Sequence, residues 1–268
     1  MSGEASVRSG ELAKWDPSFT RAFIAATAPV VRAYFRAEVR GLDNMPPTGG
    51  ALLVSNHSGG MLTPDVPVFG PAFYRKFGYT RPLYTLAHYA IFLVPWGPIL
   101  PRLGVIHASP GNAMGALRSG GVVLVFPGGD YDAYRPTAEQ NVIDFDGRTG
   151  YVRTAIEAGV PIVPMVSIGA QETQFFLARG TALANLLGLP RFRAEIAPLT
   201  IGVPFGLTLT FPPNFPLPSK IVMEVLEPVD PSSFGTDPDV DEVDDHVRRV
   251  MQRSLNHLAQ QRRFPIIG

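Results

Sequence analysis

The sequence predicts an α/β fold: a mainly parallel central sheet flanked by helices, entered through an N-terminal amphipathic helix and closed by a C-terminal helix. Three observations predict it. Short apolar runs of strand length alternate with longer segments whose apolar residues recur at helical spacing. The central runs are apolar throughout, as in strands covered on both faces. Several of them end on histidine or glycine, and in sheets of this kind ligands gather at the carboxyl ends of the strands.

Residues 1–35 read as a polar tail and an amphipathic helix, and residues 36–268 as one α/β domain. The helix spans DPSFTRAFIAATAPVVRAYF, with an Asp or Ser cap and a kink or break expected at Pro29. A short strand near Ala37 to Gly41 follows, then a Pro/Gly turn, then a buried strand from Ala51 to Ser55 that runs into Asn56 and His57. Pro64 to Gly78 reads as helix, Leu83 to Ala87 as strand, Tyr89 to Leu103 as a broken apolar helix and Gly104 to His107 as strand. Then come a helix over Pro110 to Arg118, the strand Val122 to Phe126, a loop through Arg135, a helix over Arg148 to Ala158 and the strand Pro161 to Ser167.

Residues 179–219 break this alternation with a short apolar helix near Thr181 to Leu187 and a proline-rich apolar stretch. They are either an irregular connection packed on the core or a surface for membrane or acyl chain. Ile221 to Glu227 reads as strand. The run DVDEVDDHVRRVMQRSLNHLAQQRR reads as the last helix, acidic at its start and basic at its end, as the helix dipole favours.

Composition narrows the classes of function. Lysine and arginine total 23 against 23 acids, so there is no electrostatic footprint for nucleic acid, and attraction to a membrane must be mainly hydrophobic. Cysteine is absent, which excludes disulfides, thiolate nucleophiles and cysteine-ligated zinc. Residues 82–101 and 196–219 carry no Asp, Glu, Lys or Arg, but they hold four and six prolines, so neither is expected to span a bilayer as a helix. The polar N-terminus lacks the pattern of a signal peptide, and a cytoplasmic chain is expected.

Five histidines are available: His57, His88, His107, His246 and His257. The last two fall on the charged C-terminal helix and read as surface, and His88 reads as a packed residue in an apolar run. His57 stands at a strand end followed by Ser58, Gly59 and Gly60. Glycines there let a substrate approach the backbone, and an imidazole with a pKa of about 6.5 is suited to taking a proton near neutrality. His107, the Pro127-Gly128-Gly129 turn and Gly169 also fall at strand ends, so they could share its cleft.

The segment SNHSGGMLTPD resembles the first motif of the lysophospholipid and glycerolipid acyltransferase superfamily (PlsC-like), whose pattern is Asn-His, four residues, then Asp. Seven residues separate His57 from Asp65 here, so Asp65 fills the acid's place if the extra residues loop out. LGVIHASPGNAMGAL, VVLVFPGGDYDAYRP and VPIVPMV resemble the family's second, third and fourth blocks in order, and the likeness covers residues from about 50 to 168. It implies that residues 36–268 form an acyltransferase-like domain in which His57 and Asp65 are a catalytic dyad. Ser58, Gly59, Gly60, His107, Ser109, Phe126, Pro127, Gly128, Gly129 and Arg135 would then contact substrate.

Two departures bear on the acceptor. Ser109 stands where the second block usually ends in arginine, and the third block reads Phe126-Pro127-Gly128-Gly129-Asp130-Tyr131 instead of Phe-Pro-Glu-Gly-Thr-Arg. In relatives that acylate glycerol phosphates those arginines hold the phosphate. Arg135 could stand in, but Asp130 and Asp132 beside it would repel a phosphate, and an arginine flanked by acids is commonly a local ion pair. The FPGG form looks more like the branch that makes neutral esters, such as diacylglycerol acyltransferases, and a neutral or sugar-lipid alcohol is the expected acceptor.

The resemblance further implies acyl-CoA or acyl carrier protein as co-substrate, no cofactor, no metal and no nucleic acid. It places the chain peripherally on the inner face of a membrane. The alternatives are a lipid-binding relative without a working dyad and a lysophosphatidate-type enzyme. A serine hydrolase would need a Gly-x-Ser-x-Gly elbow, which the sequence lacks, and no metalloenzyme spacing is present. Geometry discriminates: the dyad requires a carboxylate within hydrogen-bond reach of the His57 ring.

Overall fold

The computed structural model describes residues 10–188, 191, 195–209 and 211–264. Most of the expected polar tail lies outside the described residues. In chain order the elements are α1 (Pro17–Tyr34), β1 (Glu38–Arg40), β2 (Ala51–Ser55), α2 (Asp65–Phe77), β3 (Leu83–Ala87), β4 (Val105–His107), α3 (Pro110–Arg118), β5 (Val122–Val125), α4 (Gly129–Ala133) and α5 (Gly150–Ala158). They continue with β6 (Ile162–Ile168), β7 (Phe175–Ala178), α6 (Thr181–Leu186), β8 (Leu199–Gly202), β9 (Gly206–Leu209), β10 (Val222–Val225) and α7 (Val240–Gln261).

Seven strands make one sheet in the order β1-β10-β6-β2-β5-β3-β4. The five from β6 to β4 are mutually parallel, and only β10 and its neighbour β1 run the other way. β2 and β6 are buried along their whole length, because helices cover both faces. Alternate side chains of β2 divide between two cores. Leu52 and Val54 pack with α3, α5 and α7, while Ala51 and Leu53 pack with Phe69 and Phe73 of α2. All five parallel strands therefore deliver their carboxyl ends to the same edge, with β2 the middle strand of the seven.

Two proline effects differ from expectation. α1 continues through Pro29 to Tyr34 without a break. Pro29 and Ala25 lie on the exposed side, so the carbonyl that loses its N–H partner is left to water. The expected helix over Tyr89 to Leu103 is two 3₁₀ segments, Tyr89–Leu93 and Gly97–Leu103, since Pro95, Pro98 and Pro101 remove the amides that an α-helix needs.

Residues 175–209 contain order that the sequence reading missed. β7, β8 and β9 form a separate antiparallel sheet of three strands. Among the described residues no helix is long and apolar enough to cross a membrane.

α7 closes the fold on the side opposite α2. Val243, Val247, Met251, Leu255 and Leu258 make its buried stripe. Asp244 on the same stripe is held by the Tyr151 hydroxyl at 2.8 Å and by Arg248 Nε at 2.7 Å. Met251 is fully buried, so Met251→Ala is expected to cost about 2–5 kcal/mol in urea unfolding without altering the geometry at the strand ends.

Candidate active site

His57 leaves the end of β2, the middle strand of the seven. Its neighbour Asn56 prolongs the pairing with β6 through its side chain: Nδ2 donates to Ser167 O at 2.9 Å, and Ser167 N donates to Oδ1 at 2.8 Å. The backbone entering the histidine is thereby held as firmly as a strand.

The seven residues between His57 and Asp65 loop out. Gly59 and Gly60 adopt left-handed conformations with φ of 85° and 63°, and a 3₁₀ turn over Gly60–Leu62 returns the chain to the first residue of α2. A Cβ on Gly59 would lie 2.7 Å from Pro64 Cδ, and one on Gly60 would lie 2.9 Å from Tyr134 Cε1, so neither position admits a side chain. This turn accommodates the longer spacing, and the acid returns to the histidine.

His57 Nδ1 lies 2.9 Å from Asp65 Oδ2. A carboxylate only accepts, so Nδ1 carries the hydrogen and Nε2 keeps its lone pair. Asp65 is fully buried, and it also accepts from Ser58 N at 3.0 Å, Thr63 Oγ1 at 3.0 Å and Ser167 Oγ at 3.1 Å. The Phe126 ring stacks on the imidazole with centroids 4.2 Å apart, fixing its plane. The imidazole is about one-sixth exposed, and among the described residues Nε2 has no protein partner.

A second carboxylate grips the histidine from behind. His57 N donates to Asp132 Oδ2 at 2.6 Å, and Asp132 Oδ1 accepts from Arg135 Nε at 3.2 Å and Nη2 at 3.1 Å. Burial pushes the Asp132 carboxyl up from 3.8 to about 6, although the His57 amide and Arg135 pull it down.

A family model described as Acyltransferase matches residues 36–168. An uncharacterized protein of Mycobacterium tuberculosis (strain ATCC 25618 / H37Rv) is 33% identical over 265 residues, which is 95% of this chain and 70% of that protein. This chain belongs to the acyltransferase family. The acyltransferase is also 29% identical over 190 residues to the bovine (Bos taurus) "DGAT1/2-independent enzyme synthesizing storage lipids", covering 70% of this chain and 55% of that one. Its fold matches the 1-acyl-sn-glycerophosphate (LPA) acyltransferase PlsC from Thermotoga maritima with a TM-score of 0.55 at 18% identity, covering 89% of this chain and 81% of that one.

Not every residue read from the sequence joins the site of this acyltransferase. His107 ends β4, the edge strand, three positions from β2. Its Nδ1 is paired with Glu11 Oε1 at 2.6 Å and its ring stacks on Phe92. Ser109 caps α3, accepting from Asn112 N at 3.2 Å, so its hydroxyl is committed to the helix. Arg135 is buried against Asp132 and donates to Asp144 O at 3.1 Å, so it offers no free fork to a phosphate.

The Pro127-Gly128-Gly129 segment is closed by Gly129 N donating to Phe126 O at 3.0 Å, which removes one amide as an oxyanion donor. Ser58 is buried, and its amide is spent on Asp65. His88 lies outside the site, capping the 3₁₀ segment Tyr89–Leu93.

Sequence reasoning missed Asp132 as a holder of His57, and it missed Thr63 and Ser167 as donors to Asp65. Asp132 was visible only as a charge next to Arg135. Thr63 sits two residues from Asp65 and was within reach of a turn argument, whereas Ser167 required knowing that β6 is the neighbour of β2.

The Asp132 carboxyl predicts a pH dependence. Its folded value of about 6 lies above 3.8, so between these limits the native chain keeps a proton that the unfolded chain has lost. Its contribution to stability is most favourable below about pH 4, declines as pH rises to about 6 and is level beyond. The stability of the acyltransferase relative to Asp132→Asn should fall across that window by on the order of 3 kcal/mol, at about 1.4 kcal/mol per tenfold in proton affinity. Urea unfolding of both proteins from pH 4 to 7.5 measures it, and a constant difference would show an ordinary carboxyl.

Proposed function

We propose that the chain is a glycerolipid O-acyltransferase in which His57 is the general base, the donor is the thioester of acyl-CoA or acyl carrier protein, and the acceptor is a lipid alcohol without a phosphate. The contact that carries this reading is His57 Nδ1 to Asp65 Oδ2 at 2.9 Å. It directs the Nε2 lone pair to the acceptor and stabilises the imidazolium formed when a proton is taken. The acceptor oxygen attacks the thioester carbonyl, the C–S bond breaks, and the proton held on His57 passes to the departing thiolate. The ester and the free thiol are then released with the ring neutral again.

Charge on the carbonyl oxygen needs preorganised donors. The amides of His57, Ser58 and Gly129 are already bonded, which leaves Gly59, Gly60 and Gly128 among the strand-end residues for this task.

The acceptor assignment rests on where the arginines near the third block go. Arg135 is held by Asp132, Arg148 by Asp130 at 3.2 Å, and Arg179 by Glu139 at 2.9 Å and the Tyr131 carbonyl at 3.0 Å. Each guanidinium is neutralised by a protein carboxylate, and a phosphate would have to displace it. The bovine relative's description as an enzyme synthesizing storage lipids points the same way.

The test is a panel of labelled acyl-CoA and acyl carrier protein donors against monoacylglycerol, diacylglycerol, a glycolipid alcohol and lysophosphatidate. His57→Ala is expected to lower ester formation about 10²–10⁴-fold. Asp65→Asn should lower it comparably, because an amide can turn its NH₂ to Nδ1 and select the wrong tautomer. Equal turnover by wild type and His57→Ala would remove the base, and preference for lysophosphatidate would remove the acceptor assignment.

A further inference from the structure

The three-stranded sheet is inside out for a protein in water. Along each strand the side chains alternate, and apart from Phe176, which is buried, the larger apolar ones lie mostly on the solvent face. Phe175 and Leu177 of β7, Ile201 of β8, and Leu207 and Leu209 of β9 are exposed, Leu207 by 61%, whereas Thr200 and Thr208 turn inward. The two threonines satisfy each other, Oγ1 to Oγ1, at 2.8 Å. A contiguous exposed apolar patch of this kind marks an interaction surface.

We propose that this outer face, with the hairpin tip between β8 and β9, is the surface on which the enzyme docks onto uncharged lipid. Three observations choose lipid as the occupant. First, residues 196–219 hold no charged side chain, so the face offers nothing complementary to a charged or polar partner.

Second, the tip displays Val203 and Phe205 while three of its peptide groups are satisfied internally. Buried Asn214 accepts from Phe205 N at 3.1 Å and donates to Gly206 O at 2.9 Å, and Phe215 N donates to Val203 O at 2.7 Å. Hydrocarbon imposes this condition on inserted backbone, and water does not. Third, the sheet is mounted on the catalytic loop. Gln174 Nε2 donates to Gly59 O at 3.2 Å, and a Cβ on Gly60 would lie 3.1 Å from the buried Phe176 ring.

The lipid plane therefore lies beside His57, and an acceptor dissolved in it reaches the dyad sideways. That consequence rests on the acyltransferase reading proposed above; the docking itself does not.

Sedimentation of the full chain with phosphatidylcholine vesicles tests it. Wild type should partition onto these uncharged vesicles equally at about 0.01 M and about 0.15 M salt, although the Debye length falls from about 30 Å to about 8 Å. Phe205→Gln with Leu207→Gln should bind at least about tenfold more weakly. Leu207→Trp, alone, should shift its emission to the blue on mixing with vesicles, which guards against misfolding of the double variant.

Wild type remaining in the supernatant, a double variant that binds like wild type, or an unshifted Leu207→Trp emission would each overturn the proposal. So would sedimentation equilibrium showing a dimer that the double variant dissociates, since a second copy would then cover the face. His57→Ala should bind vesicles as wild type does. Wild type that binds vesicles but forms no ester counts against the catalytic reading alone, and wild type that turns over dispersed substrate but does not bind vesicles counts against docking alone.

Discussion

Burying an ionised carboxylate costs several kcal/mol unless its oxygens are fully supplied with donors, and Asp65 has no solvent at all. Its donors come from three places: the end of β2 supplies the imidazole and the Ser58 amide, the loop supplies Thr63, and β6 supplies Ser167. Removing any of these would leave lone pairs unsatisfied in the interior. The loop must therefore close as it does, and the imidazole is fixed as a consequence of housing the acid. The place of Asp65 in the first turn of α2 adds the favourable end of a helix dipole.

The two acids near His57 divide the work of holding it. Asp65 binds the ring and determines which nitrogen carries the hydrogen; Asp132 binds the main-chain amide and determines where the ring's base stands. Asp132 can do so only with a cation beside it, because it is almost as deeply buried, and Arg135 is that cation. An arginine recruited to stabilise the scaffold is unavailable for substrate. Ser109 serves as the cap of α3 and Arg135 as the partner of Asp132, so both positions are occupied with holding the scaffold.

The fold was legible wherever local signals agreed. β2, β3 and α3 stand where the apolar runs and helical spacing placed them, whereas Ser109, read as a substrate contact, proves to be the cap of α3. The dyad was legible through the resemblance, since the glycines explain how seven residues can span the usual gap. What stayed hidden depended on lateral order in the sheet. His57 and His107 both end parallel strands, and nothing short-range says that one is central and the other at the edge. Ser167 was hidden for the same reason. The strands β7 to β9 were hidden for another: a pattern of apolar residues facing out and threonines facing in reads as irregular when the core is assumed to be the apolar side.

That inversion and the catalytic loop are mechanically joined. The Gly60 Cα has no room for a side chain between Tyr134 and Phe176, and Phe176 is the buried member of β7 whose neighbours Phe175 and Leu177 face outward. A displacement of the sheet is thus transmitted to the loop by direct contact over one residue, and the loop's other end is tied to Asp65. The chain carries equal numbers of acids and bases and has no net charge to draw it to a surface. What the chain does expose is the apolar face of this sheet, and the same sheet holds the loop that follows His57 through Gln174 and Phe176.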